Sequence, residues 1–316
     1  MILAFSACGD DNSSSAAPDG DEPYSSSITA QSSSSSKVPE PVEGASSSVA
    51  ESSSSVEESS SSEVTSESSS SFADKVNCSE LLEGETGWSW DVPKECRFNP
   101  DIDNGTMTDS RDGKTYKTVK IGDQVWMAEN LNFDPGRGGS GENEYEWSWC
   151  HDNEPENCDV VGRLYTWAAA MDSVKLVNDA DNPQDCGYGK ECDLASRPAT
   201  LVQGICDKGW HLPSRVEWNA LFAAVGDELT AGKVLKSQTD WYNRNGADAF
   251  GFSALPAGRR GSDVSYDEEG YSVYFWSSTE ISSNYAYRVY LEYDADDAAL
   301  SFFYKDYGFS VRCLKD

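Results

Sequence analysis

The feature that most constrains folding is a serine-rich acidic stretch in the first quarter of the sequence. Residues 9–76 contain 27 serines and thirteen Asp or Glu, against only Lys37 and Lys75. Such a segment buries too little apolar surface to offset the entropy lost on ordering, so we expect a disordered tether. Folding must therefore depend on residues 77–316, which hold all ten tryptophans and are long enough for one core.

The formal net charge of −31 restricts the partners that the chain can have. A polyanion such as nucleic acid is repelled at long range, and an anionic membrane surface is repelled in the same way. No run approaches the roughly eighteen apolar residues of a membrane-spanning helix. The sequence therefore predicts no nucleic-acid partner, and membrane contact only through a covalent lipid.

Cys8 provides a candidate for that lipid. It ends the short apolar and small-residue run of residues 3–7 and is followed by polar residues. This order is typical of a bacterial lipoprotein signal, in which the cysteine is lipidated and becomes the mature N-terminus. Only seven residues precede Cys8, so we interpret residues 1–8 as the remnant of a signal. This predicts an exported protein that is anchored to the bacterial outer membrane and displayed on the cell surface.

The eight remaining cysteines are expected to form disulfide bonds. Neither a CxxC motif nor zinc-finger spacing of the two histidines occurs, which argues against structural zinc. Eight cysteines allow 105 pairings. Proximity in the sequence suggests Cys78–Cys96, Cys150–Cys158 and Cys186–Cys192, one solution among these, and Cys206 then pairs with Cys313.

The apolar pattern predicts an α+β fold with two main helices and antiparallel strands. Apolar residues at every second position on both sides of a Gly-Asp turn predict a β-hairpin over residues 116–129. Apolar residues at helical spacing predict a helix over residues 164–171. A capping box of Ser214 and Glu217 predicts a second helix, which Gly226 ends.

The last third of the chain is predicted to be β-structure. Along residues 285–293, aromatic and aliphatic side chains at the odd positions alternate with a mixed, more polar set at the even positions, as expected for a half-buried strand. An acidic turn over residues 294–297 leads to further strands over residues 300–304 and 309–314. Helices followed by a run of strands are typical of α+β proteins.

Several motifs together resemble the Fibrobacter succinogenes major paralogous domain. In chain order they are residues 109–116 (DSRDGKTY), 122–132 (GDQVWMAENLN), 162–171 (GRLYTWAAAM), 206–214 (CDKGWHLPS), 251–260 (GFSALPAGRR), 275–280 (FWSSTE) and 309–313 (FSVRC). The resemblance covers about residues 106–316. It implies an exported protein with a distant C-type-lectin-like fold, a group that includes the formylglycine-generating enzymes, but no common activity.

The resemblance also indicates how the chain is organised. Residues 1–8 are the signal remnant, 9–76 the tether, 77–105 a disulfide-clasped segment and 106–316 the family domain. Residues 134–159, with their own cysteine pair, look like an insertion. In folds of this group a helix-region cysteine is joined to the final strand, which agrees with a Cys206–Cys313 pair.

No residue carries a clear catalytic signal. His211 precedes the capped helix, and we expect its imidazole to fix the turn by bonding to the backbone rather than to act as a base. His151 is expected to be exposed, and neither histidine has a partnered nucleophile. Formylglycine-generating enzymes need two reduced cysteines, and structural pairing accounts for Cys206 and Cys313. The chain is therefore predicted not to be an enzyme.

Two sets of residues are candidates for ligand binding. Asp294, Asp296 and Asp297 offer oxygen ligands suited to Ca²⁺, although in a chain this acidic a solvated turn explains such carboxylates more often than a metal does. A tyrosine-rich face is the candidate recognition surface, although sheet packing explains each ring singly. Its members are Tyr266, Tyr271, Tyr285, Tyr287, Tyr290 and Tyr293.

These patterns favour a surface-displayed binding or adhesion module. Its expected ligand is a carbohydrate or another surface protein. The alternatives are a formylglycine-generating type of enzyme and a purely structural envelope protein.

Overall fold

The computed structural model describes residues 76–84, 87–138, 145–146, 148–192 and 201–316. All of them belong to the second of the two compact units of the chain, Ser70–Asp316. The predicted signal remnant with Cys8, and the predicted tether up to residue 75, lie outside the described residues. Within those residues, no helix has the length and apolar character needed to cross a membrane.

The described helices are short and the strands are numerous. The helices are α1 (Cys78–Leu82), α2 (Pro155–Val161), α3 (Trp167–Ala170), α4 (Ser173–Val177), α5 (Arg215–Ala224) and α6 (Glu228–Leu235), with 3₁₀ turns at Lys94–Arg97 and His151–Asn153. The strands are β1 (Gly105–Thr108), β2 (Thr115–Ile121), β3 (Gln124–Met127), β4 (Arg137–Gly138), β5 (Tyr145–Glu146), β6 (Ser148–Trp149), β7 (Leu164–Tyr165), β8 (Trp210–His211), β9 (Ala257–Arg260), β10 (Tyr266–Glu269), β11 (Ser272–Glu280), β12 (Tyr285–Glu292), β13 (Ala299–Tyr304) and β14 (Leu314–Lys315).

Two five-stranded sheets form the framework. The first has the order β1-β2-β3-β14-β8 and the second the order β10-β9-β11-β12-β13, while β4-β5 and β6-β7 are small ribbons. Pairing between these strands is antiparallel except between β9 and β11. The fold is therefore α+β, as predicted.

The core consists of two apolar clusters, and each sheet contributes to both. Trp276 of β11 lies in the first cluster, whereas its neighbour Phe275 lies in the second, because successive strand residues point to opposite faces. Leu221 of α5 and Leu235 of α6 cover the second cluster. Full burial of a leucine side chain contributes about 1.5–3 kcal/mol, so these two helices add substantially to the stability of that face.

The hairpin and the capped helix are confirmed. β2 and β3 pair antiparallel, and Gly122 takes a left-handed φ of 59° at the turn between them. At the start of α5, Ser214 Oγ accepts from the backbone N–H of Glu217, and the Glu217 carboxylate accepts from the N–H of Ser214 at 2.7 Å. The expected capping box is therefore present.

Two predicted elements differ from the structure. Of the helix expected over residues 164–171, only α3 forms, because β7 takes up Leu164 and Tyr165. Tyr165 pairs with Ser148 and with Phe309, and the hydroxyl of Thr166 caps α3. The strand expected over residues 309–314 is reduced to isolated bridges followed by β14. The second main helix is instead α6, which the pattern did not predict.

All four predicted disulfide bonds are present. They join Cys78 to Cys96, Cys150 to Cys158, Cys186 to Cys192 and Cys206 to Cys313.

The N-terminal clasp, residues 77–105, is part of the folded unit. The guanidinium of Arg97 forms a fully buried ion pair with Asp240 at 2.5 Å, and Asn99 donates to the carbonyl of Asp248 at 3.0 Å. Trp88 and Trp90 pack against the second apolar cluster. The clasp is thus closed by its own Cys78–Cys96 bond and attached to the rest of the fold by charge, by hydrogen bonding and by apolar contact.

Candidate functional site

The structure separates the six predicted tyrosines. Alternation along β12 places Tyr285 and Tyr287 on one face, with Tyr293 following the strand in the same phase. Tyr290 lies on the opposite face, where its ring stacks on Tyr274 with centroids 6.1 Å apart. Tyr290 therefore packs inside the fold, away from the two tyrosines that begin β12.

The other three predicted tyrosines, Tyr266, Tyr271 and Tyr293, lie at two other places on the fold. Tyr271 and Tyr293 contact Tyr242, with centroid distances of 4.8 and 5.5 Å respectively. Tyr266 packs against His151 at 5.2 Å. The six residues do not form one continuous surface.

Two of the predicted tyrosines, Tyr285 and Tyr287, lie beside the exposed rings of Phe302 and Tyr304 at the edge of the second sheet. We call Tyr285, Tyr287, Phe302 and Tyr304 the edge aromatic patch. Tyr285 faces Tyr304, and Tyr287 faces Phe302, across the β12–β13 register. The ring centroids of Tyr285 and Tyr304 are 4.5 Å apart. Arg215 at the start of α5 donates to the Tyr287 hydroxyl at 2.8 Å.

This patch is open to solvent. Phe302 and Tyr304 keep 46% and 39% of their surface exposed, and β13 is the last strand of its sheet. The hydrogen bond with Tyr304 raises the pKa of the Tyr285 hydroxyl above its ordinary value, so this group stays neutral at physiological pH. The patch therefore presents neutral aromatic rings, with a guanidinium at one end.

The turn that follows β12 contains a cation supplied by the protein itself. Lys236, which is 1% exposed, donates from Nζ to the carbonyl oxygens of Glu292, Tyr293 and Ala295, at 2.8, 3.3 and 2.8 Å. Burial lowers the pKa of this ammonium to about 8. Backbone oxygens that could bind a metal ion here are thus already occupied by an ammonium group.

The three predicted calcium ligands lie in this turn but are not gathered around a common centre. Arg244 binds the carboxylate of Asp296 at 2.7 Å and the carbonyl of Asp294 at 2.7 Å. Over the described ranges, no group of three or more His, Cys, Asp or Glu side chains, Asp297 included, could hold a metal ion. Calcium binding stays a prediction without geometric support from the described residues.

The imidazole of His211 bonds to two carboxylates rather than to the backbone, contrary to expectation. Its Nε2 lies 2.9 Å from the Glu217 carboxylate and its Nδ1 lies 2.8 Å from that of Asp316. Burial alone would lower the pKa of the imidazole, but these two carboxylates reverse the effect and raise it. Burial alone would raise the pKa of the Glu217 carboxyl group, but its bonds to His211 and Ser214 outweigh burial and lower this pKa below its ordinary value. This network links β8, α5 and the segment after β14.

His151 was expected to be exposed, and this expectation is wrong. It is 1% exposed, and its ring lies between Trp90 at 5.3 Å and Tyr266 at 5.2 Å. Carboxylate oxygens of Asp152 and Glu269 lie 3.4 and 3.5 Å from its two nitrogens. The clasp covers this histidine, which the sequence pattern could not indicate.

Cys206 and Cys313 form a buried disulfide bond and are 0% and 1% exposed. The reduced cysteine pair that a formylglycine-generating enzyme requires is therefore not available at these two positions.

A cleft of about 320 Å³ lies between the clasp and the rest of the fold. We call it the clasp cleft. Its walls come from the clasp, the start of β2, the segment after β3 and the end of α2. The residues that line it include Lys94, Glu95, Phe98, Lys114, Thr115, Glu129, Asn130, Asn132, Asp159, Gly162 and Arg312.

Hydrogen bonds hold the polar lining of the clasp cleft in place. Lys94 donates to Glu129 at 2.7 Å, and Lys114 donates to the carbonyl of Asn132 at 2.5 Å. The carboxamide of Asn132 donates to Asp159 at 3.3 Å. The lining thus combines ammonium donors, carboxylate acceptors and a carboxamide within one small volume.

Comparison with known proteins identifies the family. A sequence model of the Fibrobacter succinogenes major domain matches residues 119–315. The chain belongs to this family. No curated protein and no solved structure matches the chain.

Five of the seven motifs that carry the family resemblance contribute residues to the clasp cleft. Glu129, Asn130 and Asn132 come from one motif, Gly162 from a second, and Arg312 from the last. Arg312 donates to the carboxamide oxygen of Asn130 at 2.7 Å. Sequence reasoning overlooked this site. The polar residues Glu129, Asn130 and Asn132, which follow strand β3 of the predicted hairpin, were a usable signal.

Proposed function

We propose that the chain is a lipid-anchored, surface-displayed binding module, and that its edge aromatic patch binds a neutral carbohydrate. The domain would be C-type-lectin-like, an idea supported by the disulfide bond that joins Cys206, before α5, to Cys313, before β14. The lipid on Cys8 rests on the sequence pattern alone.

The exposed pairs of rings across β12 and β13 support this function most directly. Rigid aromatic side chains provide large contact areas at a small cost in conformational entropy. Their apolar faces suit the C–H faces of sugar rings, and the Tyr287 and Tyr304 hydroxyls can bond to sugar hydroxyls. In a chain of net charge −31, a neutral ligand avoids the repulsion that an acidic polymer would meet.

The test is glycan binding by the full chain and by two matched variants. Phe302→Ser removes an exposed ring of the patch, and Tyr242→Ser removes a ring of similar exposure, 41%, outside it. We expect immobilised neutral polysaccharides to retain the wild type and Tyr242→Ser, while Phe302→Ser loses at least tenfold in affinity. A thermal midpoint that rises with soluble glycan would measure the same binding.

Two outcomes would contradict this assignment. Loss of binding in Tyr242→Ser alone would place the site at the Tyr242–Tyr271–Tyr293 cluster. Failure of every neutral polysaccharide to bind the wild type would reject carbohydrate as the ligand, which would leave a protein ligand or a structural role.

A further inference from the structure

We propose that the clasp cleft is a second binding site, which takes a neutral saccharide of one or two rings. The existence of the site follows from the cleft itself, whereas the ligand class rests on the proposed carbohydrate-binding function. The edge aromatic patch is not needed for this site.

The size of the cleft limits the ligand. Small-molecule pockets span about 300–1,000 Å³, and the cleft, at about 320 Å³, lies at the lower limit. It lies where two parts of the fold meet, which is a common position for such pockets. A long polymer could therefore enter only by its terminal unit.

The charges of the cleft give no advantage to an ionic ligand. Lys94, Lys114 and Arg312 supply three cationic groups, and Glu95, Glu129 and Asp159 supply three acidic ones. This balance differs from the strongly acidic chain as a whole. Because attraction and repulsion nearly cancel in such a lining, neither an anionic sugar nor a cationic amine gains a net electrostatic advantage over a neutral ligand.

The donor and acceptor groups suit a polyhydroxyl compound. Each sugar hydroxyl both donates and accepts, and so needs partners of both kinds. Lys94 and Lys114 donate, Glu129 and Asp159 accept, and the carboxamide of Asn132 does both.

Phe98 adds an apolar surface to this polar lining. Lys117 Nζ lies 3.8 Å from the centre of its ring. One face of this ring is taken by the ammonium group, so Phe98 contributes a limited apolar contact beside the hydrogen-bonding rim that a sugar ring needs.

The walls of the cleft are fixed before any ligand arrives. On one side the buried Arg97–Asp240 ion pair attaches the clasp to the rest of the fold, and the Cys78–Cys96 bond restrains the clasp itself. On the other side the Cys150–Cys158 bond holds the start of α2, whose later residues line the cleft. A preformed site loses little conformational entropy on binding, so a small ligand can be held by few contacts.

The experiment measures binding of maltose, cellobiose, lactose and diacetylchitobiose to the full chain by isothermal titration calorimetry. Thr115→Trp places a large ring in the cleft from an exposed position, and Phe302→Ser is the matched control at the edge aromatic patch. We expect one disaccharide to bind the wild type and Phe302→Ser alike, and Thr115→Trp at least tenfold more weakly. Unchanged thermal midpoints of the unliganded variants would establish that they are folded.

Three outcomes would overturn the proposal. Loss in Phe302→Ser with full binding in Thr115→Trp would assign the disaccharide to the edge aromatic patch. Binding of glucuronic acid in preference to every neutral sugar would refute the charge argument. Absence of binding by all four disaccharides would reject the cleft as a saccharide site, while polysaccharide retention would still test the edge aromatic patch separately.

Discussion

Replacing Cys206 and Cys313 together by alanine should cost more stability than removing any bond between near neighbours. This bond joins residues 107 apart, whereas Cys186 and Cys192 are only 6 apart. In the chain-entropy treatment a cross-link stabilises by restricting the unfolded chain, and the effect grows with the logarithm of the closed loop. The longer bond should therefore contribute about 4.8 kcal/mol and the shorter one about 2.2 kcal/mol.

The two pairs make a matched comparison. All four side chains are at most 1% exposed, so each double alanine variant loses similar buried atoms, and the cost of those atoms nearly cancels in the difference. The expected difference between the two losses in unfolding free energy is about 2.6 kcal/mol.

Guanidinium unfolding of the full chain, without reductant, measures both losses through the tryptophan fluorescence of the folded unit. Both variants should unfold in a single transition, with the Cys206/Cys313 variant at the lower midpoint. An equal loss in the two variants, or a larger loss on removing the short bond, would refute the argument from loop length.

Two further predictions concern buried charges. His211→Gln should destabilise the fold most below about pH 6.5, because a raised pKa means that protonated His211 stabilises the folded state, and this stabilisation is lost as the pH rises through that pKa. Urea unfolding of wild type and variant at several pH values tests this trend. A difference in unfolding free energy that grows with pH would contradict it. Arg288→Met should maintain or raise the unfolding free energy, because Nε and Nη1 of this 8% exposed residue have no hydrogen-bond partner among the described residues. The control Arg312→Met should lose about 3 kcal/mol, since Arg312 is hydrogen-bonded to Asn130; equal losses in both would refute this reasoning.

Local signals accounted for the parts of the fold that depend on near neighbours. The capping box of Ser214 and Glu217 fixed the start of α5, and the turn at Gly122 fixed the hairpin register. The predicted cysteine pairs were correct because three of them join sequence neighbours. Apart from the Cys206–Cys313 bond, which was the pair left over, each of these features is decided within about twenty residues.

Contacts between distant residues were beyond such reasoning. Gly232 lies inside α6 because a Cβ there would come within 1.9 Å of the Asp297 carbonyl oxygen, and a glycine in a short apolar run weakens any helix prediction. Lys236 fills the acidic turn from 56 residues away, so the carboxylates resembled a metal site when viewed alone. Alternation assigned tyrosines to faces of β12, but it could not reveal which part of a face remained uncovered.

The Cys78–Cys96 bond determines how the folded unit carries a mechanical load. A pull applied through the residues before Cys78 crosses the disulfide bond to Cys96, so residues 79–95, with Trp88 and Trp90, lie outside the path of tension. The force then reaches Arg97, whose buried ion pair with Asp240 connects the clasp to the rest of the fold. A pull on the proposed N-terminal anchor would therefore load this ion pair, and the clasp cleft, which the neighbouring Phe98 lines, lies close to that load.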